Sequence, residues 1–167
     1  RFQYEDEVRK NPLNYDAWDI DFFYQEKETI LEASNIEIVE NNGIFASIKF
    51  LYTFGQSKIV QEMKVYTHTK RVDFVTIVDW HERQRLMKTK FDVNIRSAEA
   101  TYAIQSGNVK RPTHENTSWQ LAQFETVGHQ WADISDKNAG VSILNDSKYG
   151  YDIKENIVRL TLLKGAI

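Results

Sequence analysis

The chain has 167 residues, 41% hydrophobic and 27% charged, with a net charge of -3, a pI near 5.8 and no cysteine. That length supports one domain with a full core. The acidic balance argues against a general nucleic-acid binder or a partner of anionic membranes. The missing thiol excludes disulfides, CxxC zinc sites and cysteine nucleophiles, and fits a reducing, cytoplasmic location.

The first residues, RFQYEDEVRK, are charged and mixed, unlike a secretion signal. No apolar run approaches the length needed to span a bilayer. The lack of an initiator methionine suggests a start inside a longer polypeptide. Residues 1–33 are expected to form an N-terminal arm or linker. Within it, DAWDIDFFYQEKETIL reads as an extended segment with one helical turn.

From residue 34 onward the dominant period is two, the signature of strands. Ile44, Ala46, Ile48, Phe50, Tyr52 and Phe54 share one apolar face, and Gly55-Gln56 then turns the chain into SKIVQEMKVYTH. KRVDFVTIVDW and TKFDVNI read as further strands, with HERQRLM between them as a turn of helix or a bulged crossover. AEATYAI, SWQLAQFETV, GVSILND and NIVRLTLL complete the series. Turn signals at Gly107-Asn108, Asn138-Ala139-Gly140, Tyr149-Gly150 and Glu155-Asn156 separate them. The pattern predicts an all-β fold, a mostly antiparallel sandwich over residues 34–167.

The chemical constellations are thin. His68, His81, His114 and His129 include no pair at i, i+4, and HERQR and HENTS lack the second histidine of HExxH. There is no GxSxG, GxGxxG or P-loop. Asp79 with Glu82, and the acids Asp133, Asp136, Asp146 and Asp152, are candidates for the paired carboxylates of glycosidases. At this charge content, crowding of acids is expected by chance. Three tryptophans, Trp80, Trp119 and Trp131, each sit beside a histidine and an acid. That mixture suits stacking and hydrogen bonding to a sugar; the alternative is a core or rim anchor whose indole N–H needs a polar partner.

Five long stretches carry a resemblance: DAWDIDFFYQEK, VDFVTIVDWHERQRLMKTKFDVNI, ATYAIQSGNVKRPTHENTSW, QFETVGHQWADIS and GVSILNDSKYGYD. In this order they resemble the post-catalytic β region of family-38 glycoside hydrolases, the α-mannosidases, most closely the bacterial and cytosolic branch. The resemblance implies a large β-sandwich of the galactose-mutarotase-like supersandwich type, inactive by itself. It implies a parent enzyme that is zinc-dependent and retaining and hydrolyses terminal α-mannosides. The family's metal-ligand and nucleophile motifs are not found in this chain, so no catalytic residue and no metal ligand is carried over. The implied partners are the catalytic domain of the same polypeptide and an α-mannoside, with self-association of the fragment also open.

On this reading the loops RPTHENTSW, HQWADIS and NDSKYGYD face the catalytic domain. The substrate-proximal candidates are His114, Asn116, Trp119, His129, Trp131, Asp133, Asn145, Asp146, Tyr149 and Asp152. Asp16, Trp18, Asp19 and Asp21 are expected to anchor the arm to the preceding domain. Alternatives are a free-standing carbohydrate-binding module and a pure packing scaffold.

Overall fold

The computed structural model describes residues 2–6, 20 and 22–166. Asp16, Trp18, Asp19 and Asp21 lie outside them. Among the described residues fourteen strands run in chain order: β1 (Phe2–Asp6), β2 (Glu28–Leu31), β3 (Asn35–Asn41), β4 (Phe45–Phe54), β5 (Ser57–Tyr66), β6 (Val72–Asp79), β7 (Arg85–Asp92), β8 (Glu99–Ile104), β9 (Gly107–Pro112), β10 (Thr126–Val127), β11 (Trp131–Ser135), β12 (Gly140–Leu144), β13 (Gly150–Lys154) and β14 (Ile157–Gly165). One 3-10 turn (Phe22–Glu26) precedes β2, and one short helix, α1 (Ser118–Leu121), follows β9.

The strands build three antiparallel sheets: β10-β13-β14-β7-β1-β2, β12-β11-β8-β9 and β3-β4-β5-β6. Register explains how they layer. Leu31, Phe2, Thr89, Leu160, Tyr151 and Thr126 form one cross-strand row of the six-stranded sheet, so Leu31, Leu160 and Tyr151 point to the same side. On that side the sheet packs against both four-stranded sheets. Tyr151, Ile153, Val158 and Leu160 meet Ala100, Tyr102, Ala132 and Ile134 in one core. Leu31 and Met87 meet Tyr52 and Ile59 in a second, ringed by Phe50, Phe54, Val78 and Trp80. Leu162 sits at a register shift in β14 and packs against both cores. A single methylene shift would be felt in either, because interiors pack at crystal density. The fold is an all-β sandwich, as the period-two reading predicts.

Several local readings change. HERQRLM forms no helix: residues 81–84 carry no regular secondary structure, Gln84 takes a positive φ of 54°, and β7 begins at Arg85. Residues 80–84 are the crossover between sheets, the second of the two readings the sequence offers, and the Glu82 carboxylate closes the β4–β5 turn. It accepts from the Gln56 amide at 2.8 Å and the Ser57 hydroxyl at 3.1 Å. A side chain at Gly55, whose φ is +55°, would collide with that carboxylate. SWQLAQFETV is not one strand either. Thr117 caps α1 by accepting from the Gln120 amide, while the Gln120 side chain accepts from the Thr117 amide. This reciprocal cap outweighs the strand-like alternation of a short segment. HQWADIS and NDSKYGYD, taken as loops, contribute β11 and part of β13.

Candidate functional site

The ten candidate residues fall into three places. The first is a rim where the segments before β11 and β13 meet. Gly128 donates its amide to the Tyr149 carbonyl (2.9 Å), His129 to Ala103 (2.8 Å) and Asn145 to Gln130 (2.9 Å). A Cβ on Gly128 would stand 2.8 Å from the Tyr151 ring, so the close approach itself selects glycine. Asn145 organises the second segment: its side-chain oxygen accepts from the Ser147 and Lys148 amides, a local turn that asparagine favours, and its nitrogen donates to the Tyr151 hydroxyl. The Tyr151 hydroxyl in turn donates to the His129 carbonyl (3.0 Å). Burial pushes the phenols of Tyr151 and Tyr102 up to about 12, so neither is an acid or base near neutrality.

On this frame His129 and Tyr149 stand edge to face, 5.5 Å between ring centres at 83°, with Tyr149 54% exposed. Arg111, which the sequence reading passes over, donates to the Val127 carbonyl (2.7 Å) and lies 4.8 Å over the Tyr102 ring, bracing the rim from β9. Its signal in the sequence is weak, since an arginine at a strand end reads as solvated.

The second place is the outer face of the β8–β12 sheet. Ala132 and Ile134 are core, so Trp131 and Asp133 alternate outward. Trp131 pairs across strands with Leu144, and Asp133 accepts from the Ser135 and Ser142 hydroxyls, each at 2.7 Å. Asp146 is exposed in the turn between β12 and β13, next to Asn145 in sequence.

The third place is the loop 113–121 with the far face of the six-stranded sheet. Trp119 is 81% exposed on α1, Asn116 is exposed, and His114 keeps a buried Nδ1 without a hydrogen-bond partner. Lys154 ties this loop to β13 through Glu115 (3.4 Å). Asp152 lies apart from the rim: it points away from the core that holds Tyr151 and Ile153, is 4% exposed, and receives Arg159 at 2.8 Å. Burial pushes its carboxyl up, against the pull of Lys88 and Arg159. On the same far face Lys88, fully buried, bonds Glu125 and donates to the Tyr24 hydroxyl (3.0 Å), and Thr161 donates to Glu125. Buried charge of this kind stands only when paired.

The carboxylates of DWHER are structural: Glu82 holds the hairpin and Asp79 pairs with an exposed His81 (2.9 Å). Trp80 stacks on Phe54 at the edge of the second core. Among the described residues no three His, Asp or Glu side chains come together as a metal requires. The described residues therefore do not fit a zinc centre, and no chemical step through zinc follows from them. What the geometry offers is an aromatic, hydrogen-bonding rim.

Comparison with known proteins sets this frame in context. The model of the glycosyl hydrolases family 38 C-terminal domain matches residues 2–167. Alpha-mannosidase G of Dictyostelium discoideum is 40% identical over 157 residues, which is 91% of this chain and 14% of that protein. Alpha-mannosidase 2C1 of Homo sapiens is 38% identical over 156 residues, 92% of this chain and 15% of that protein. The chain thus spans about a seventh of the length of these relatives. The crystal structure of an alpha-mannosidase from Enterococcus faecalis superposes with a TM-score of 0.77 at 12% identity, covering 99% of this chain and 22% of the other, which shows a shared fold. With nearly every residue inside the family match, the chain belongs to family 38 of the glycosyl hydrolases, as its C-terminal domain.

Proposed function

We propose that this chain is the non-catalytic β portion of a zinc-dependent, retaining α-mannosidase that hydrolyses terminal α-mannosides. It packs on the catalytic domain of the same polypeptide, residues 1–33, which also lend β1 and β2 to the six-stranded sheet, form the junction, and the rim of His129 and Tyr149 borders the substrate pocket. The observation that carries the reading is the family match over residues 2–167 beside α-mannosidase relatives some seven times longer. Zinc and nucleophile belong to the catalytic domain on this reading. The absence of cysteine supports a cytoplasmic location.

Packing on a larger body has physical support. In the β3–β6 sheet, Tyr52 and Ile59 are buried, but the same face continues to Ile38 (74% exposed) and Phe74 (41% exposed). Contiguous apolar surface of that kind marks an interaction face, and it also carries the expectation that the isolated fragment self-associates.

In the longer enzyme, His129→Ala and Tyr149→Ala should raise KM for an aryl α-mannoside while the melting temperature stays put. Unchanged KM in both removes the rim from the pocket. The isolated chain should release no mannose with zinc added, and genuine turnover by it would overturn the division of labour. A second reading, an autonomous carbohydrate-binding module, draws on the 81% exposure of Trp119. Calorimetric titration with manno-oligosaccharides tests it, a flat trace at millimolar sugar removing it.

A further inference from the structure

At the far end of the β3–β6 sheet, the β5–β6 hairpin encloses an open cleft of about 390 Å³ lined by Tyr66, His68, Thr69, Arg71 and Asp73. None of these residues belongs to the rim or to the core. We propose that this cleft binds a small oxyanion, a phosphate or carboxylate group, through the guanidinium of Arg71.

Several hydrogen-bonding groups of the cleft remain unused. Asp73 would ordinarily make the cleft repel anions, but both its oxygens are committed. One accepts from the Tyr66 hydroxyl at 2.6 Å, the other from Arg71 Nε at 2.5 Å. Those bonds hold the Asp73 carboxyl below its ordinary range, so it stays ionised and occupied. Thr69 accepts the Arg71 amide at 3.3 Å, which leaves its hydroxyl proton to donate. Among the described residues no protein acceptor meets the two terminal nitrogens of Arg71 or the ring nitrogens of His68. The cleft therefore presents donors: two guanidinium N–H₂ groups in a fixed fork, a threonine hydroxyl and an imidazole N–H. A planar fork with its Nε already anchored matches a carboxylate or phosphate bidentately.

The hairpin is also held in place. Thr67 donates both its amide and its hydroxyl to the Ile44 carbonyl, each at 3.1 Å. Tyr66 is wedged between Phe45 (6.2 Å) and His68 (6.0 Å, edge on). Lys64 stands opposite Asp73 across the hairpin and is paired to Glu62 at 3.3 Å. A surface ion pair alone would staple the turn, yet it requires neither the cleft nor the unused donors.

The test is a titration of this chain, followed by amide chemical shifts, with inorganic phosphate, acetate and methyl α-mannoside at constant pH and ionic strength. Phosphate or acetate should shift the amides of Thr69, Lys70 and Arg71 and the His68 ring along a saturable curve. The arm that saturates identifies the anion class. Arg71→Gln should abolish the response while leaving the rest of the spectrum intact. Arg71→Lys, which keeps charge but loses the fork, should weaken it by about tenfold, one charge-assisted hydrogen bond's worth. Shifts that persist in Arg71→Gln, that spread over every lysine and arginine without saturating, or that appear only with the neutral mannoside would overturn the proposal.

Discussion

The buried cation on the far face of the six-stranded sheet is the sharpest test of what holds the sandwich shut. Lys88 is 0% exposed, its ammonium bonded to Glu125 and to the Tyr24 hydroxyl, while Glu125 is 13% exposed and also accepts from Thr161. Lys88→Met keeps most of the side-chain volume and removes the charge, so the lost packing is small. The cost comes from Glu125, left desolvated without its cation. Breaking one side of a buried pair costs roughly 3–5 kcal/mol, and the residual exposure of Glu125 and the Thr161 hydroxyl place this case near 3 kcal/mol. For a chain of this size that corresponds to a melting temperature lower by about 6–12 °C. Urea unfolding of wild type, Lys88→Met, Glu125→Met and the double variant measures the coupling. The double variant should lose about 1 kcal/mol or less, because replacing both charges with apolar groups removes the stranded one. Additive losses in the double variant, or a Lys88→Met loss within about 0.5 kcal/mol, would show that the pair does not govern this face.

Other outcomes follow from the same geometry. Glu82→Ala should destabilise by about 1–3 kcal/mol in denaturant unfolding, having removed the acceptor for Gln56 and Ser57. Gly55→Ala should also destabilise, since its φ of +55° and the Glu82 carboxylate both oppose a Cβ. Asp152 predicts a pH dependence. Burial raises its folded carboxyl above the ordinary 3.8 of an aspartate, so its stabilising share is complete below about pH 3.8 and is lost as the pH rises through the folded value. Asp152→Asn should therefore become less destabilising, relative to wild type, between acid and neutral pH. A urea midpoint difference that does not change with pH would contradict this. Trp119→Ala should leave stability within about 0.5 kcal/mol, because the ring is 81% exposed. A larger drop in midpoint would mean the indole is seated against something in solution.

The period-two alternation of Phe50, Tyr52 and Phe54 was enough to predict strands and a sandwich, because side chains on a strand point to opposite faces whatever the partner. Long stretches such as VDFVTIVDWHERQRLMKTKF were enough to indicate the family. The short elements were not legible. SWQL is too brief for periodicity to separate helix from strand, and its outcome depends on a reciprocal cap between Thr117 and Gln120. The strand β11 was hidden because WADIS has as much polar as apolar character, and its pairing with β8 and β12 supplies what its composition does not.

The candidate rim divides in the same way. The sequence determined that polar and aromatic residues cluster before β11 and β13, since turns collect asparagine, glycine and tyrosine at their ends. Only the tertiary structure decided which of them meet: His129 with Tyr149 through cross-segment backbone bonds, and Asp152 on the opposite side of its strand although it follows Tyr151 directly. Adjacent residues on a strand face opposite ways, so proximity along the chain separated Asp152 from the rim, while pairing across the sheets joined residues twenty apart. The same holds for Lys88. This lysine, just ahead of TKFD in the sequence, is buried because Tyr24 and Glu125, from distant parts of the chain, close over it.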